Sequence, residues 1–175
     1  SLRSVLISDN GFTGRLPVAL FNSSSLNTVI ASKNCFVGTL SSSMCAASNL
    51  NTLVLTGLTA GSGCKGTLLG LTRSMAGSIP SCLFDMPRLA QLYLAGNGIK
   101  SRLSALPTSS VLRNLSLGYN RLSGVIPESL QSRGMEILDL SFNRLLGTVE
   151  QVSLEGEGEV QGAVELNLRA NQLSG

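Results

Sequence analysis

Apolar residues in this chain recur in short alternating groups rather than in long runs. With asparagine as a marker, apolar residues stand three and five positions before it, and usually eight before. Glycine stands four positions after most markers, and apolar residues two after. Alternation at every second position predicts a short strand with one buried face. The markers are Asn10, Asn34, Asn97, Asn120, Asn143 and Asn171.

Neighbouring markers are 23 to 28 residues apart, except for a gap of 63 between Asn34 and Asn97. A helical stripe would recur at three and four residues, so this period indicates repeats that each stack on their neighbours. The long gap accommodates one further coil with Leu53 and Leu55 in register, where Leu58 replaces the marker. We therefore predict one array over residues 1–175, of about seven coils, with insertions at 59–75 and 151–162.

The hydrogen-bonding groups of asparagine explain why it recurs at the marker position. Its amide supplies two donors and one acceptor oxygen, enough to bond backbone groups of its own coil and of the next coil. Stacked coils would turn these amides into a ladder. The glycine four positions later fits a backbone of positive φ, and Pro17, Pro80 and Pro127 fix φ where no strand N–H is needed.

These features resemble the leucine-rich repeat family, and most closely its plant-type class, L-x-x-L-x-L-x-x-N-x-L-x-G-x-I-P. Gly124-Val125-Ile126-Pro127, following Leu115, Leu117, Asn120 and Leu122, matches that pattern throughout. Leu58 departs from it, as do Ser41 and Ser104 at proline positions and Ser101 at a glycine position. The resemblance implies a curved right-handed solenoid of the α/β repeat class, with a parallel sheet on the concave face and loops or 3₁₀ turns on the convex face.

Composition narrows the function classes. Charged residues are 13% of the chain, against about 25% in an average soluble protein, and aromatic residues are 4%. The net charge of +3 comes from scattered residues, so no basic stripe for nucleic acid is expected. No stretch has the roughly 18 to 20 apolar residues of a membrane span. The N-terminus does not read as a signal peptide, so we expect a processed chain or a piece of a longer protein, attached to a membrane only through other segments.

Four cysteines, Cys35, Cys45, Cys64 and Cys82, fall within 48 residues. Their even number favours two disulfides and an oxidising, extracellular or cell-surface location over four reduced thiols. The spacing is not that of a zinc site, and the chain has no histidine. The repeat register favours Cys35–Cys64 and Cys45–Cys82, each tying the second coil to the third, although sequence leaves the other two connectivities open.

One motif suggests nucleotide chemistry. Residues 61–66 read G-x-G-x-x-G, but no helix is predicted at the third glycine and no strand–helix–strand unit follows. We interpret it as a flexible loop. Without histidine, the common nucleophile–histidine arrangements are impossible, and the carboxylates are isolated in sequence. We therefore expect no enzyme activity, no cofactor and no metal.

Strand residues that point away from the core would form the binding surface. The later coils carry aromatic and charged residues, the usual anchors of interfaces. The predicted patch consists of Tyr93, Tyr119, Asp139, Phe142 and Arg169. The alternative is that these are ordinary exposed strand residues. Asn22 and Asn114 begin N-x-[ST] sequons, and a glycan on Asn114 would conflict with the patch.

The resemblance and this surface predict a non-catalytic module of an extracellular, receptor-like or secreted protein that binds a protein, peptide or glycan partner. The alternative function is a structural or adhesive surface protein without a dedicated ligand. We further expect the isolated piece to associate end to end through uncapped apolar coils, and no other homo-oligomer.

Overall fold

The computed structural model describes residues 2–61, 64, 75, 77–131, 134–149 and 165–174. Short strands dominate this part of the chain. In chain order they are β1 (Ser4–Leu6), β2 (Thr13–Gly14), β3 (Thr28–Ile30), β4 (Cys35–Phe36), β5 (Thr52–Val54), β6 (Gln91–Tyr93), β7 (Asn114–Ser116), β8 (Ser123–Val125), β9 (Ile137–Asp139), β10 (Arg144–Thr148), β11 (Glu165–Asn167) and β12 (Gln172–Ser174).

Seven strands form one parallel sheet in the order β1-β3-β5-β6-β7-β9-β11. Their central residues stand opposite one another, from Val5 and Val29 to Leu138 and Leu166. These side chains face the core, and those of β3 to β7 are fully buried. The flanking residues of each strand face outward, on the side that the sequence analysis predicts as concave. We call this side the sheet face. The leucine-rich-repeat solenoid fold expected from the sequence is confirmed.

The opposite side holds short helical turns. They are 3₁₀ helices at Val18–Asn22, Ser42–Ala46 and Ser81–Phe84, and a four-residue α-helix, α1, at Glu128–Gln131. Each buries apolar side chains against the back of the sheet: Phe21, Met44, Leu83 with Phe84, and Leu130. Every helix in the described part of the chain is too short to cross a bilayer.

Two lateral sheets were not predicted. Just past the marker asparagines, β8, β10 and β12 pair in parallel, and so do β2 and β4. Gly124 and Gly147 stand at equivalent places in these strands, with φ of 86° and 90°. A residue with a Cβ is strained at such angles, which is why glycine recurs there. The alternation of Leu122 with Gly124 is the sequence pattern that could have predicted such a strand. The segment is too short, however, for sequence to distinguish a strand from a turn.

The asparagine amides form a ladder along the array. Asn120 is typical: its Nδ2 donates to the carbonyls of Leu94 (3.0 Å) and Leu117 (2.9 Å), and its Oδ1 accepts from Ile99 N (3.0 Å). Asn143 repeats this pattern one coil later. Each such carbonyl therefore accepts from the asparagines of two successive coils.

Leu58 interrupts the ladder, and the structure compensates with backbone groups. Phe36 N, which would otherwise meet an asparagine oxygen, donates to the Leu58 carbonyl at 2.9 Å. Leu58 itself is fully buried. Among the described residues, the Ala31 carbonyl receives one asparagine amide, from Asn34, and the Leu55 carbonyl receives one, from Asn97.

Both disulfides favoured by the register are present: Cys35–Cys64, with Cα atoms 5.3 Å apart, and Cys45–Cys82, with Cα atoms 6.1 Å apart. They flank the interrupted part of the ladder, and Cys45 and Cys82 lie on neighbouring 3₁₀ helices. The predicted insertion at 151–162 lies outside the described residues. Of the insertion at 59–75, the structure describes 59–61, 64 and 75.

Candidate functional site

The position just before each marker asparagine has an unusual backbone. Tyr119 and Phe142, which precede Asn120 and Asn143, have φ of 53° and 52°. The equivalent residues Asp9, Lys33 and Ala170 have φ between 50° and 55°, and Gly57 and Gly96 also have positive φ. The repeat therefore imposes the left-handed conformation on every coil, although it costs a residue with a Cβ roughly 1 kcal/mol or more.

Tyr119 and Phe142 stack on one another at the edge of the sheet face. Their ring centroids are 4.2 Å apart and their planes differ by 12°. The Arg169 guanidinium lies over the Phe142 ring, 5.5 Å from its centroid. Tyr119 is 60% exposed. We call these three side chains the aromatic ladder, because they continue one surface across three coils.

The aromatic ladder keeps an uncommitted positive charge. Ion pairs within the described residues join Lys33 to Asp9 and Arg113 to Glu136, so Arg169 is not neutralised by a carboxylate there. Planar aromatic faces with a guanidinium are typical anchors of binding surfaces. The aromatic ladder can therefore bind an apolar or aromatic group beside an acidic group.

Asp139 belongs to an internal hydrogen-bond cluster. Its Oδ1 accepts from Ser141 N (3.0 Å) and Ser141 Oγ (2.6 Å), and its Oδ2 accepts from Ser116 Oγ (3.1 Å). A Cβ on Gly118 would lie 2.8 Å from Asp139 Oδ2, so glycine leaves room for the carboxylate. Much of the bonding capacity of Asp139 is thus used within the sheet face.

Tyr93 stands in the same row as Ser116 and Asp139. Burial raises the pKa of its phenol, the nearby Glu136 carboxylate raises it further, and a hydrogen bond with Asn114 partly opposes the rise. The hydroxyl is therefore protonated and neutral well above neutral pH. It offers a polar group in the same row, on the strand next to that of Ser116.

The two sequons differ in access. Asn114 is 7% exposed, and with its amide nitrogen oriented toward acceptors it donates to Glu136 Oε2 (3.2 Å) and the Arg113 carbonyl (3.1 Å). Asn22 is exposed at the end of the first 3₁₀ helix. Glycosylation of both stays a prediction, and steric access favours Asn22.

Gly61, the first glycine of the G-x-G-x-x-G motif, has a packing role. A Cβ there would lie 2.9 Å from the Asn10 carbonyl oxygen and 3.0 Å from that of Lys33. Other motif residues, at 62, 63, 65 and 66, lie outside the described residues. In the part of the chain that is described, no group of three or more Cys, Asp or Glu side chains is placed to hold a metal ion.

The sequence placed Tyr119 and Phe142 just past the strands but did not predict their stacking. Both precede a marker asparagine in successive coils, and that shared register is the signal that could have found it. The hydrogen bonds that Ser116 and Ser141 donate to Asp139 were not predicted either. Ser116 pairs with Asp139 in the sheet and Ser141 follows it by two residues, and this register could have suggested the cluster.

Comparisons with known proteins agree with this geometry. A family model described as Leucine Rich Repeat matches residues 111–132. The plant peptide hormone receptor RGFR1, in complex with RGF2, is 28% identical with a TM-score of 0.76, over 98% of this chain and 25% of that chain. The chain has the leucine-rich-repeat solenoid fold and is similar to plant leucine-rich-repeat receptors. Among curated proteins, none matches its sequence.

Other plant structures share this leucine-rich-repeat fold. The Arabidopsis HAESA ectodomain, in complex with an N-terminal extended IDA peptide hormone ligand, is 27% identical with a TM-score of 0.74, over 98% of this chain and 26% of that one. A plant ice-binding protein has a TM-score of 0.78 at 20% identity, over 98% of this chain and 50% of that one, which shows the fold alone. The chain thus spans half of the ice-binding protein and about a quarter of the two receptors.

Proposed function

We propose that this chain is a non-catalytic recognition module of an extracellular, receptor-like protein, and that it binds an extended peptide segment of a partner across its sheet face. The aromatic ladder is the observation that carries the proposal. Tyr119, Phe142 and Arg169 form one stacked surface whose guanidinium is paired with no carboxylate among the described residues, whereas the sheet face of the early coils carries hydroxylic and aliphatic side chains.

A peptide running across the strands suits this surface. Strands in a sheet are about 4.8 Å apart, so seven span roughly 29 Å, the length of about nine extended residues. Tyr119 and Phe142 would hold an apolar side chain, and Arg169 a carboxylate. Tyr93 and the Asp139 cluster would line the floor and hydrogen-bond to the peptide backbone.

The comparisons support the proposed class. The receptors RGFR1 and HAESA were solved with the peptide hormones RGF2 and IDA. The two disulfides are consistent with an extracellular location. A structural or adhesive role without a ligand would need no exposed aromatic stack beside an arginine on the sheet face.

The test uses a displayed library of random peptides of about nine residues, selected on the disulfide-bonded protein. Enriched peptides should combine an apolar residue with an acidic one. They should lose about tenfold or more in affinity for Tyr119→Ala/Phe142→Ala, since aromatic anchors commonly contribute more than about 1–2 kcal/mol. The control is Val18→Ala/Val125→Ala, which removes two exposed apolar side chains away from the sheet face. Peptides that bind both variants like the wild type would overturn the proposal.

A further inference from the structure

The starts of the first four main-sheet strands line a recess that is separate from the aromatic ladder. Its volume is about 510 Å³. Arg3 contributes from the first coil and Arg88 from the fourth. The other lining residues carry hydroxyl and amide side chains: Ser4, Ser24, Ser25, Asn27 and Asn49. None of the described residues that line the recess carries a carboxylate.

Neither arginine is paired with a carboxylate in the part of the chain that the structure describes. The ion pairs within the described residues, Lys33–Asp9 and Arg113–Glu136, involve neither of them. Asp85, three residues before Arg88, neither lines the recess nor pairs with that arginine. Two arginines that line one recess favour a planar or tetrahedral anion, because a guanidinium can donate two parallel hydrogen bonds.

The backbone of the recess is held in place before any ligand arrives. The Arg3 carbonyl accepts from Asn27 N (2.8 Å) and Thr28 N (3.1 Å). The Arg88 carbonyl accepts from Asn51 Nδ2 (3.1 Å). With strands about 4.8 Å apart, the two arginine backbones stand roughly 14 Å from one another along the array. The recess therefore fits an extended chain with acidic groups rather than a single small anion.

We propose that this recess binds a segment of an anionic glycan, a sugar chain that carries carboxylate or sulfate groups. Arg3 and Arg88 each hold one acidic group. The serine hydroxyls between them both donate and accept hydrogen bonds, as sugar hydroxyls do. This site is independent of the peptide surface proposed above.

An acidic peptide fits the recess less well. The residues that line it form no apolar pocket for a side chain. Asn49 Nδ2 is already committed to the Ser24 carbonyl (2.6 Å), which fixes the polar floor between the two charges.

Calorimetric titration of the intact, disulfide-bonded protein tests the proposal. The probes are a short linear oligouronate, the same oligomer fully methyl-esterified, a sulfated oligosaccharide of equal length, and a Glu-rich peptide of equal charge. We expect oligouronate binding that weakens with salt and falls about tenfold or more in Arg3→Gln/Arg88→Gln. The matched variant Arg121→Gln/Arg144→Gln removes two exposed arginines elsewhere and should bind within about twofold of the wild type.

Comparable binding of the sulfated probe, with the same dependence on Arg3 and Arg88, would support the site and identify sulfate as a second source of the anion. Absent oligouronate binding, equal losses in both double variants, or undiminished binding of the esterified oligomer would each overturn the proposal. So would tighter, arginine-dependent binding of the peptide. Tyr119→Ala/Phe142→Ala should leave oligouronate binding unchanged, which separates this test from that of the peptide surface. Circular dichroism and unchanged melting verify that each variant is folded.

Discussion

Between Asn97 and Asn143, asparagine amides tie every coil to the next, whereas between Asn34 and Asn97 the corresponding position is Leu58. In the first case Asn143 Oδ1 accepts from Leu122 N at 2.9 Å. In the second, Phe36 N donates to the Leu58 backbone carbonyl at 2.9 Å. The interrupted region also holds both disulfides, and among the described residues the complete region holds none.

The surfaces of the early and the later coils also differ. At the left-handed position, Asp9 and Lys33 of successive early coils form an exposed ion pair at 3.4 Å. Tyr119 and Phe142, at the equivalent positions of later coils, stack at 4.2 Å. Exposed ion pairs contribute little and are screened by salt. The repeat thus determines which side chains of neighbouring coils are in contact. The identity of those residues determines whether the contact forms a surface that can bind a ligand.

Removing the Cys35–Cys64 disulfide should have the largest effect. The change Cys35→Ser/Cys64→Ser is expected to lower the free energy of unfolding by about 2–5 kcal/mol, because the cross-link restricts the unfolded chain. Each coil contacts only its neighbours, so the loss should be local. Hydrogen exchange measured coil by coil should show lost protection in β3 and β5 and little change in β9.

Cys45→Ser/Cys82→Ser is the matched control, since it removes the other link between the same two coils. It should weaken the same coils. Equal loss of protection in β9 would contradict the view that the two regions are stabilised separately, and would indicate one cooperative unit.

Much of this architecture is predictable from sequence because it depends on period and register. The alternation around Val29 and Leu115 fixes the strands, and the markers fix the amide ladder. The register also brings Cys45 near Cys82. Features that depend on contacts between neighbouring coils were not predictable: the lateral sheets, the Phe36 bond to the Leu58 carbonyl, and the recess lined by Arg3 and Arg88. They depend on backbone and side-chain placement that no single repeat specifies.

Exchanging asparagine and leucine at the marker position should change the free energy of unfolding by different amounts in the two regions. Asn143→Leu removes the acceptor for Leu122 N and the donor to the Leu117 and Leu140 carbonyls. Unsatisfied buried groups cost roughly 1–3 kcal/mol each, so we expect a loss of about 2–4 kcal/mol. Urea unfolding measures it.

Leu58→Asn is the reverse exchange and should change stability by only about 1 kcal/mol. The Ala31 and Leu55 carbonyls each receive one asparagine amide among the described residues, where most equivalent carbonyls receive two, so both can accept from the new side chain. That gain is offset by the loss of a fully buried leucine. If the two substitutions changed the free energy of unfolding by equal amounts, the asparagine amide ladder would not account for the difference between the regions.

The smallest expected difference in stability is between alanine substitutions at two glycines, Gly61 and Gly118. A Cβ on Gly61 would meet the backbone oxygens of Asn10 (2.9 Å) and Lys33 (3.0 Å), which cannot move without disturbing two coils. A Cβ on Gly118 would meet Asp139 Oδ2 (2.8 Å), the end of a side chain that can rotate away. Thermal unfolding should therefore show a loss of about 1–3 kcal/mol for Gly61→Ala and about 1 kcal/mol or less for Gly118→Ala. Gly11→Ala, with no atom within 4 Å, is the neutral reference. A larger loss at Gly118 would mean that the Asp139 cluster is rigid, and therefore as much a part of the scaffold as the interrupted ladder.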